Sequence, residues 1–220
     1  MKLDVNPVVG VFSISKSGGL FMSTTKLVIV YYSSTGHNYQ MARWAEEAAK
    51  AAGAEVRLLK VRELAPDAAI DSNPAWREHV DATQDIPVAT RDDLAWADAI
   101  IWSAPTRFGV LAAQMKQFID EQGGLWAAGK TVNKVVSAMT SAQNAHGGQE
   151  ATLLSIYTIM MHWGAIIVPP GYSDSVIYAS GGNPYGASAT ADGNGLTDEL
   201  KASVQHQARR TLSIAAKLNA

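Results

Sequence analysis

The stretch Lys26-Leu27-Val28-Ile29-Val30-Tyr31-Tyr32-Ser33-Ser34-Thr35-Gly36-His37-Asn38 decides how this chain folds. From Lys26 to Tyr32 it is an apolar, mainly β-branched and aromatic run without charge after Lys26, which is how a strand buried on both faces reads. It passes at once into hydroxyl and amide residues. A helix is predicted over 37–52, with Met41, Ala45, Ala48, Ala49 and Ala52 along one stripe and Gly53 ending it. Strand, polar turn and helix follow one another with no spacer, as in the first unit of a wound α/β sheet.

Reading outward, the same alternation continues. Residues 55–61 alternate like a second strand. Residues 63–90 carry Pro66, Pro74 and Pro87 without a sustained period and are expected to form a long connection. Thr90 with Asp93 makes an acidic capping box ahead of a short helix. A third strand is expected over 99–103 and a loop over 104–109, then a helix over 112–121 that Gly123-Gly124 should stop. A fourth strand over 134–139, a polar loop to Gly148, a helix over 149–162 and a fifth strand over 165–168 follow. Residues 169–196 are rich in Gly, Pro, Ser and Asn, and Thr197 should cap a last helix. Strands alternating with helices imply an α/β, doubly wound, five-stranded parallel sheet, and the flavodoxin-like order 2-1-3-4-5 is the expected topology. Residues 22–220 are read as this one domain. Residues 1–21, with Lys16-Ser17-Gly18-Gly19 before Met22, are read as a leader outside it, against the alternative of a packed extension through apolar Val8 to Phe12.

Composition narrows the function. A net charge of -2 supplies no field for nucleic acid. The chain has no cysteine, so disulfides, thiolate chemistry and iron–sulfur ligation are excluded and redox chemistry needs a cofactor. No apolar run approaches the roughly 18 residues that cross a bilayer, so membrane insertion is not expected, and a cytoplasmic location is. His37, His79, His146, His162 and His206 show no metal-ligand spacing, so no metal is expected; nor does a Gly-x-Ser-x-Gly elbow follow any strand.

In such a sheet, ligands bind beyond the carboxyl ends of the strands. Ser33, Ser34, Thr35, Gly36, His37 and Asn38 open a helix with hydroxyls, amides and exposed N–H groups, which suits a monophosphate or merely caps the helix. The loop lacks both the Walker A lysine and a GxGxxG fingerprint. Pro105, Thr106, Arg107, Phe108 and Gly109 combine donors, a cation and a ring after the third strand, fit to line a flat ring. Thr140 to Gly148, including Ser141, Ala142, Gln143, Asn144 and Gly147, offers donors to a ring edge or satisfies its own backbone. Trp126 follows a glycine-flexible turn and is either core or exposed at a site.

Five motifs in order, Ser-x-Thr-Gly-His-Asn at 33–38, Pro-Thr-Arg-Phe-Gly at 105–109, Gly-Gly-Leu-Trp-Ala at 123–127, His-Gly-Gly-Gln-Glu at 146–150 and Pro-Tyr-Gly-Ala-Ser at 184–188, make the chain resemble the WrbA family. The resemblance runs from about Lys26 to the C-terminus. It implies an FMN-dependent NAD(P)H:quinone oxidoreductase that reduces quinones by two electrons in a ping-pong cycle, with NADH or NADPH as donor. It also implies a homotetramer with sites near subunit junctions. By the same resemblance Ser33 to Asn38 hold the FMN phosphate, Thr106 to Phe108 hold the isoalloxazine, Trp126 borders the substrate pocket, and His162 lies near the flavin; a histidine ending that helix either donates a proton or hydrogen bond to the quinone or only stabilises the helix dipole. Three departures stand out. Ser141-Ala142-Gln143-Asn144 replaces the family's Ser-Thr-Gly-Thr, leaving Asn144 as the residue suited to a left-handed backbone. Trp163 follows His162 where a second histidine is common, and Thr35 stands where some relatives carry tyrosine. An electron-carrying flavodoxin is the first alternative, although carriers usually show an acidic docking face. A non-enzymatic partner of a transcription regulator is the second.

Overall fold

The computed structural model describes residues 24–193 and 196–219, so the expected leader at 1–21 lies outside the described residues. Chain order is β1 (Lys26–Tyr31), α1 (His37–Ala51), β2 (Glu55–Lys60), α2 (Asp67–Asp71), α3 (Pro74–Ala82), α4 (Arg91–Trp96), β3 (Ala99–Arg107), β4 (Val110–Leu111), α5 (Ala113–Asp120), α6 (Gly123–Ala127), β5 (Val135–Ala142), α7 (Gln149–His162), β6 (Ile166–Ile167), α8 (Ser175–Ala179), β7 (Ser188–Thr190) and α9 (Asp198–Leu218). The parallel strands lie in the order β2-β1-β3-β5-β6. Because β4 is a hairpin strand antiparallel to β3, this is the expected 2-1-3-4-5 arrangement of a doubly wound sheet.

Strand alternation divides the core between two faces. Leu27, Ile29, Tyr31, Ile101 and Met139 pack under α1 and α9 through Met41, Ala45, Ala49, Val204 and Ala208. Val28, Val30, Ile100, Trp102 and Val136 pack under α4, α5 and α7 through Leu94, Met115, Leu153, Ile156 and Met160. The predicted capping box forms, with Asp93 N donating to Thr90 Oγ1 and Thr90 N to the Asp93 carboxylate. Thr197 caps α9 by accepting from Leu200 N at 3.2 Å.

Five expectations need correction. Residues 63–90 are not a bare connection, since α2 and α3 lie within them. Pro66 precedes α2, and Pro74 opens α3 behind an Asn73 cap, so prolines there mark helix starts. Because α3 buries no residue fully, it left no apolar period to read. The third strand runs on to Arg107, so Pro105 and Thr106 are strand residues rather than loop. The fourth extends to Ala142, so Ser141 and Ala142 are also in a strand. Finally, Gly123-Gly124 begins α6 instead of closing a turn, and the region 169–196 contains α8 and β7. The edge strand is thus split: β6 pairs with the start of β5 and β7 with its end, where Thr140↔Ser188 and Ala142↔Thr190 are in register.

Candidate functional site

Three turns meet beyond the carboxyl ends of β1, β3 and β5. In the first, Ser33 Oγ accepts from Gly36 N at 3.0 Å, folding the chain back so that Gly36 enters α1 at φ 95°. No side chain among the described residues caps α1, and the first-turn N–H groups of this 15-residue helix face the turn. An anion there would gain both those donors and the positive end of the helix dipole. Asn38 is not at the surface of this turn. It is 1 % exposed, donates through Nδ2 to Ser103 Oγ at 3.2 Å and accepts at Oδ1 from Ser141 Oγ at 2.6 Å. Ser103 Oγ returns a bond to the Asn38 carbonyl at 3.0 Å. Asn38 and Ser141 therefore fasten α1 to β3 and β5 and hold the turn.

The β3–β4 hairpin forms the second wall. Arg107 Nη2 donates to Ser34 Oγ at 3.1 Å, so the hairpin cation closes onto the first turn. Phe108 at the tip is fully exposed and holds φ 53°, a left-handed conformation unusual for an aromatic residue and consistent with a functional constraint. Asn144 does not take the left-handed role expected of it. Phe108 and Asn133 are the non-glycine residues with positive φ among the described residues.

The third wall is the turn from Gln143 to Gly148, whose residues Gln143 and Asn144 are exposed. It is pressed against the hairpin: a Cβ on Gly148, at φ 87°, would fall 2.8 Å from Gly109 Cα. One on Gly147 would fall 2.5 Å from the Ala142 side chain. Thr152 on α7 donates to Thr106 Oγ1 at 2.6 Å and locks the hairpin to the same helix. Thr35 and His37 complete the rim, with Thr35 Oγ1 3.4 Å from His37 Nδ1. The donor set, the uncapped helix start and two glycine contacts too close for any side chain fit a flat ring with a terminal phosphate.

Trp126 and His162 do not join this cluster within one chain. The α7 helix starts at the carboxyl end of β5 and its 14 residues run back about 20 Å to the amino end. There the Trp163 carbonyl accepts from Thr131 Oγ1 at 2.8 Å and the Gly164 carbonyl from Asn133 N at 3.0 Å, both just ahead of β5. Trp126 Nε1 donates to the His162 main-chain carbonyl at 3.0 Å, so these two exposed residues are joined at the edge opposite the turns. Sequence order alone put His162 close to β6 but could not say at which end of the sheet.

Sequence reasoning missed Glu63. Its carboxylate accepts from Tyr32 OH at 3.0 Å, Trp76 Nε1 at 3.1 Å and Gln114 Nε2 at 2.8 Å, besides the N–H groups of Leu64 and Ala65. Burial by itself would raise this carboxyl, yet the hydrogen bonds together hold it below the usual range. Glu63 thereby ties α3 and α5 to the residue that precedes the Ser33 turn. Only its place before Pro66 was visible in the sequence.

Residues 25–176 match the family described as NADPH-dependent FMN reductase. An NAD(P)H dehydrogenase (quinone) of Deinococcus radiodurans is 58 % identical over 193 residues, covering 88 % of this chain and 96 % of the relative. One from Brucella anthropi is 42 % identical over 203 residues, covering 88 % and 98 %. Among solved structures, a WrbA-like flavodoxin from Agrobacterium tumefaciens superposes with TM-score 0.62 at 22 % identity, covering 88 % of this chain and 99 % of that one. An archaeal flavodoxin gives 0.54 at 18 %, with 89 % and 100 % covered. At those identities the two structures speak for the fold alone.

Proposed function

The chain belongs to the NADPH-dependent FMN reductase family, and from that premise we propose that it is an FMN-dependent NAD(P)H dehydrogenase of quinones, of the WrbA type. The observation that carries the reading is the convergence of the Ser33–His37 turn, the Thr106–Gly109 hairpin and the Gln143–Gly148 turn on one end of the sheet. Bound FMN would supply hydride acceptance from the nicotinamide and two-electron delivery to the quinone. Ser33, Ser34, Thr35 and His37, with the N–H groups opening α1, would hold its phosphate. Thr106, Arg107, Phe108 and the glycine contact between Gly109 and Gly148 would hold its ring, and Asn38 and Ser141 keep the walls at fixed separation.

Completion of the site requires a second copy. Trp126 and His162 stand at the other end of their own sheet, so they reach a flavin ring only as Trp126 and His162 of the partner subunit. A homotetramer is supported by the apolar cleft of about 850 Å³ between α5 and α7, lined by Phe108, Val110 and Ile159 among others, and by the exposure of Leu154 and Met161 elsewhere on α7. In that assembly Trp126 walls the substrate space, and His162 supplies the proton or hydrogen bond that the developing hydroquinone oxygen needs. A cytoplasmic location belongs to the same reading.

Two measurements test it. Sedimentation of the FMN-loaded protein at micromolar concentration is expected to give a tetramer, and a monomer contradicts the shared site. In stopped flow, His162→Ala is expected to slow quinone reduction by about 100-fold or more while flavin reduction by the nicotinamide is unchanged. If both half-reactions keep their rates and only thermal stability falls, His162 serves its helix end instead.

A further inference from the structure

The helix α3 brings a histidine against the phosphate turn. A Cβ on Gly36 would meet His79 Nδ1 at 3.7 Å, an ordinary contact distance, so the imidazole packs on the N-cap residue of α1. The same ring packs on Tyr39 at 5.5 Å between centroids and 53° between planes. His79 therefore touches the first turn of α1 at both of its ends. Ser33, whose hydroxyl folds the turn back, shares with His79 the wall of a cavity of about 320 Å³.

The ring is half-buried, yet neither of its nitrogens hydrogen-bonds to a described residue. Polar groups around it are engaged. Thr83 Oγ1 donates to the His79 main-chain carbonyl at 2.7 Å, Lys60 Nζ donates to the Thr83 carbonyl at 2.5 Å, and Ser33 Oγ accepts from Gly36 N at 3.0 Å. The Glu63 carboxylate on the same wall is occupied by its five donors. Burial, and after it the nearby Lys60 cation, hold the imidazole below its ordinary value, so near pH 7 it is neutral and carries one N–H. A cation is a poor partner for this histidine, because the positive end of α1 and Lys60 stand beside it. An anion is a good one: the N–H groups that open α1 and the imidazole N–H are unmet donors on one turn.

We propose that His79 is a fourth wall of the phosphate site: with FMN bound, its Nδ1–H donates to a terminal phosphate oxygen, so that α3 reads the phosphate together with the Ser33–His37 turn. The proposal rests on the FMN reading for the identity of the anion. A hydrogen bond onto a phosphate charge is one of the stronger kinds, and partial burial shields it from the salt screening that weakens a surface contact. Riboflavin has no phosphate and gains nothing from His79. The residue therefore adds to the choice of FMN over riboflavin.

The test titrates FMN and riboflavin separately into full-length protein freed of flavin, read by flavin fluorescence. His79→Phe keeps a ring on Tyr39 and removes the donor, and α3 holds no fully buried residue, so the fold is expected to survive the change. FMN should bind this variant about ten- to a hundredfold more weakly, with riboflavin affinity unchanged. His79→Asn, whose amide nitrogen takes the place of Nδ1, should recover part of the preference for FMN. Unchanged FMN affinity in His79→Phe, equal weakening of both flavins, or no gain in His79→Asn over His79→Phe overturns the role of His79. In each of those cases a wild-type preference for FMN, and quinone reduction by the FMN-loaded protein, would still stand. A wild-type protein that binds both flavins equally would show that the turn reads no phosphate, and the FMN reading would fall together with His79.

Discussion

Gly148→Val is expected to abolish FMN retention while the chain still folds. Gly148 sits at φ 87°, where a β-branched residue is strained by about 1–3 kcal/mol. Its Cβ would also fall 2.8 Å from Gly109 Cα, a backbone atom that moves only with the hairpin tip. Overpacking of this kind costs about 1–3 kcal/mol more, and both costs fall on the two walls that would grip the ring. Together they correspond to a loss of affinity of about 100-fold or greater. Far-ultraviolet circular dichroism should remain native, since Gly148 precedes α7 and the Thr152–Thr106 bond on the first turn still anchors the helix. FMN that co-elutes with the variant in gel filtration at wild-type stoichiometry would show that the hairpin and the third turn do not hold the ring.

Gly186→Val should act on the fold itself. A Cβ at residue 186 would lie 2.2 Å from the Ala138 carbonyl oxygen and 2.9 Å from a Leu153 methyl, inside the sheet where neither strand nor helix can retreat. The residues beside it are pinned. Tyr157 OH donates to the Tyr185 carbonyl at 2.6 Å, and Ala187 N donates to Gln207 Oε1 at 2.7 Å. Gln207 in turn bonds Ser137 and Ala138 on β5. Room for the valine therefore requires breaking a buried network, with a cost of about 3–5 kcal/mol. The melting temperature is expected to fall by about 6–20 °C, or the protein to be insoluble. A melting temperature within a few degrees of wild type would mean that the β7 segment is not packed on β5 as described.

These two glycines show what was legible beforehand. The strong periodic elements were: the apolar run at Lys26, the alanine stripe of α1, the Thr90 and Thr197 caps and the limits of α7 all follow from local chemistry. The three site turns were legible as well, because hydroxyls, glycines and one exposed cation placed directly after buried strands add little to a core and much to the binding of an anion or a ring. Pairing and distance were not. That Asn38 faces inward to Ser103 and Ser141 depends on strands far apart in sequence, and the same residue read as a surface amide when only its neighbours were known. The strands overran their expected ends because Pro105, Thr106, Ser141 and Ala142 are paired in the sheet despite polar or proline character. Pro105 is tolerated in a central strand at the rim, where the ladder gives way to the site. Trp126 was assigned to the substrate pocket and His162 to the flavin by resemblance, yet the direction of α7 puts them at the far end of their own sheet, a fact no local pattern carries.

The most direct test measures NADH and NADPH oxidation by the FMN-reconstituted protein under anaerobic conditions, with and without p-benzoquinone. Oxidation that depends on the quinone, with one hydroquinone formed per nicotinamide oxidised and no activity in apoprotein, is the expected result. A fully flavin-loaded protein that oxidises neither nicotinamide in the presence of quinone, or passes electrons only singly to a protein acceptor, would contradict the assignment and favour an electron carrier.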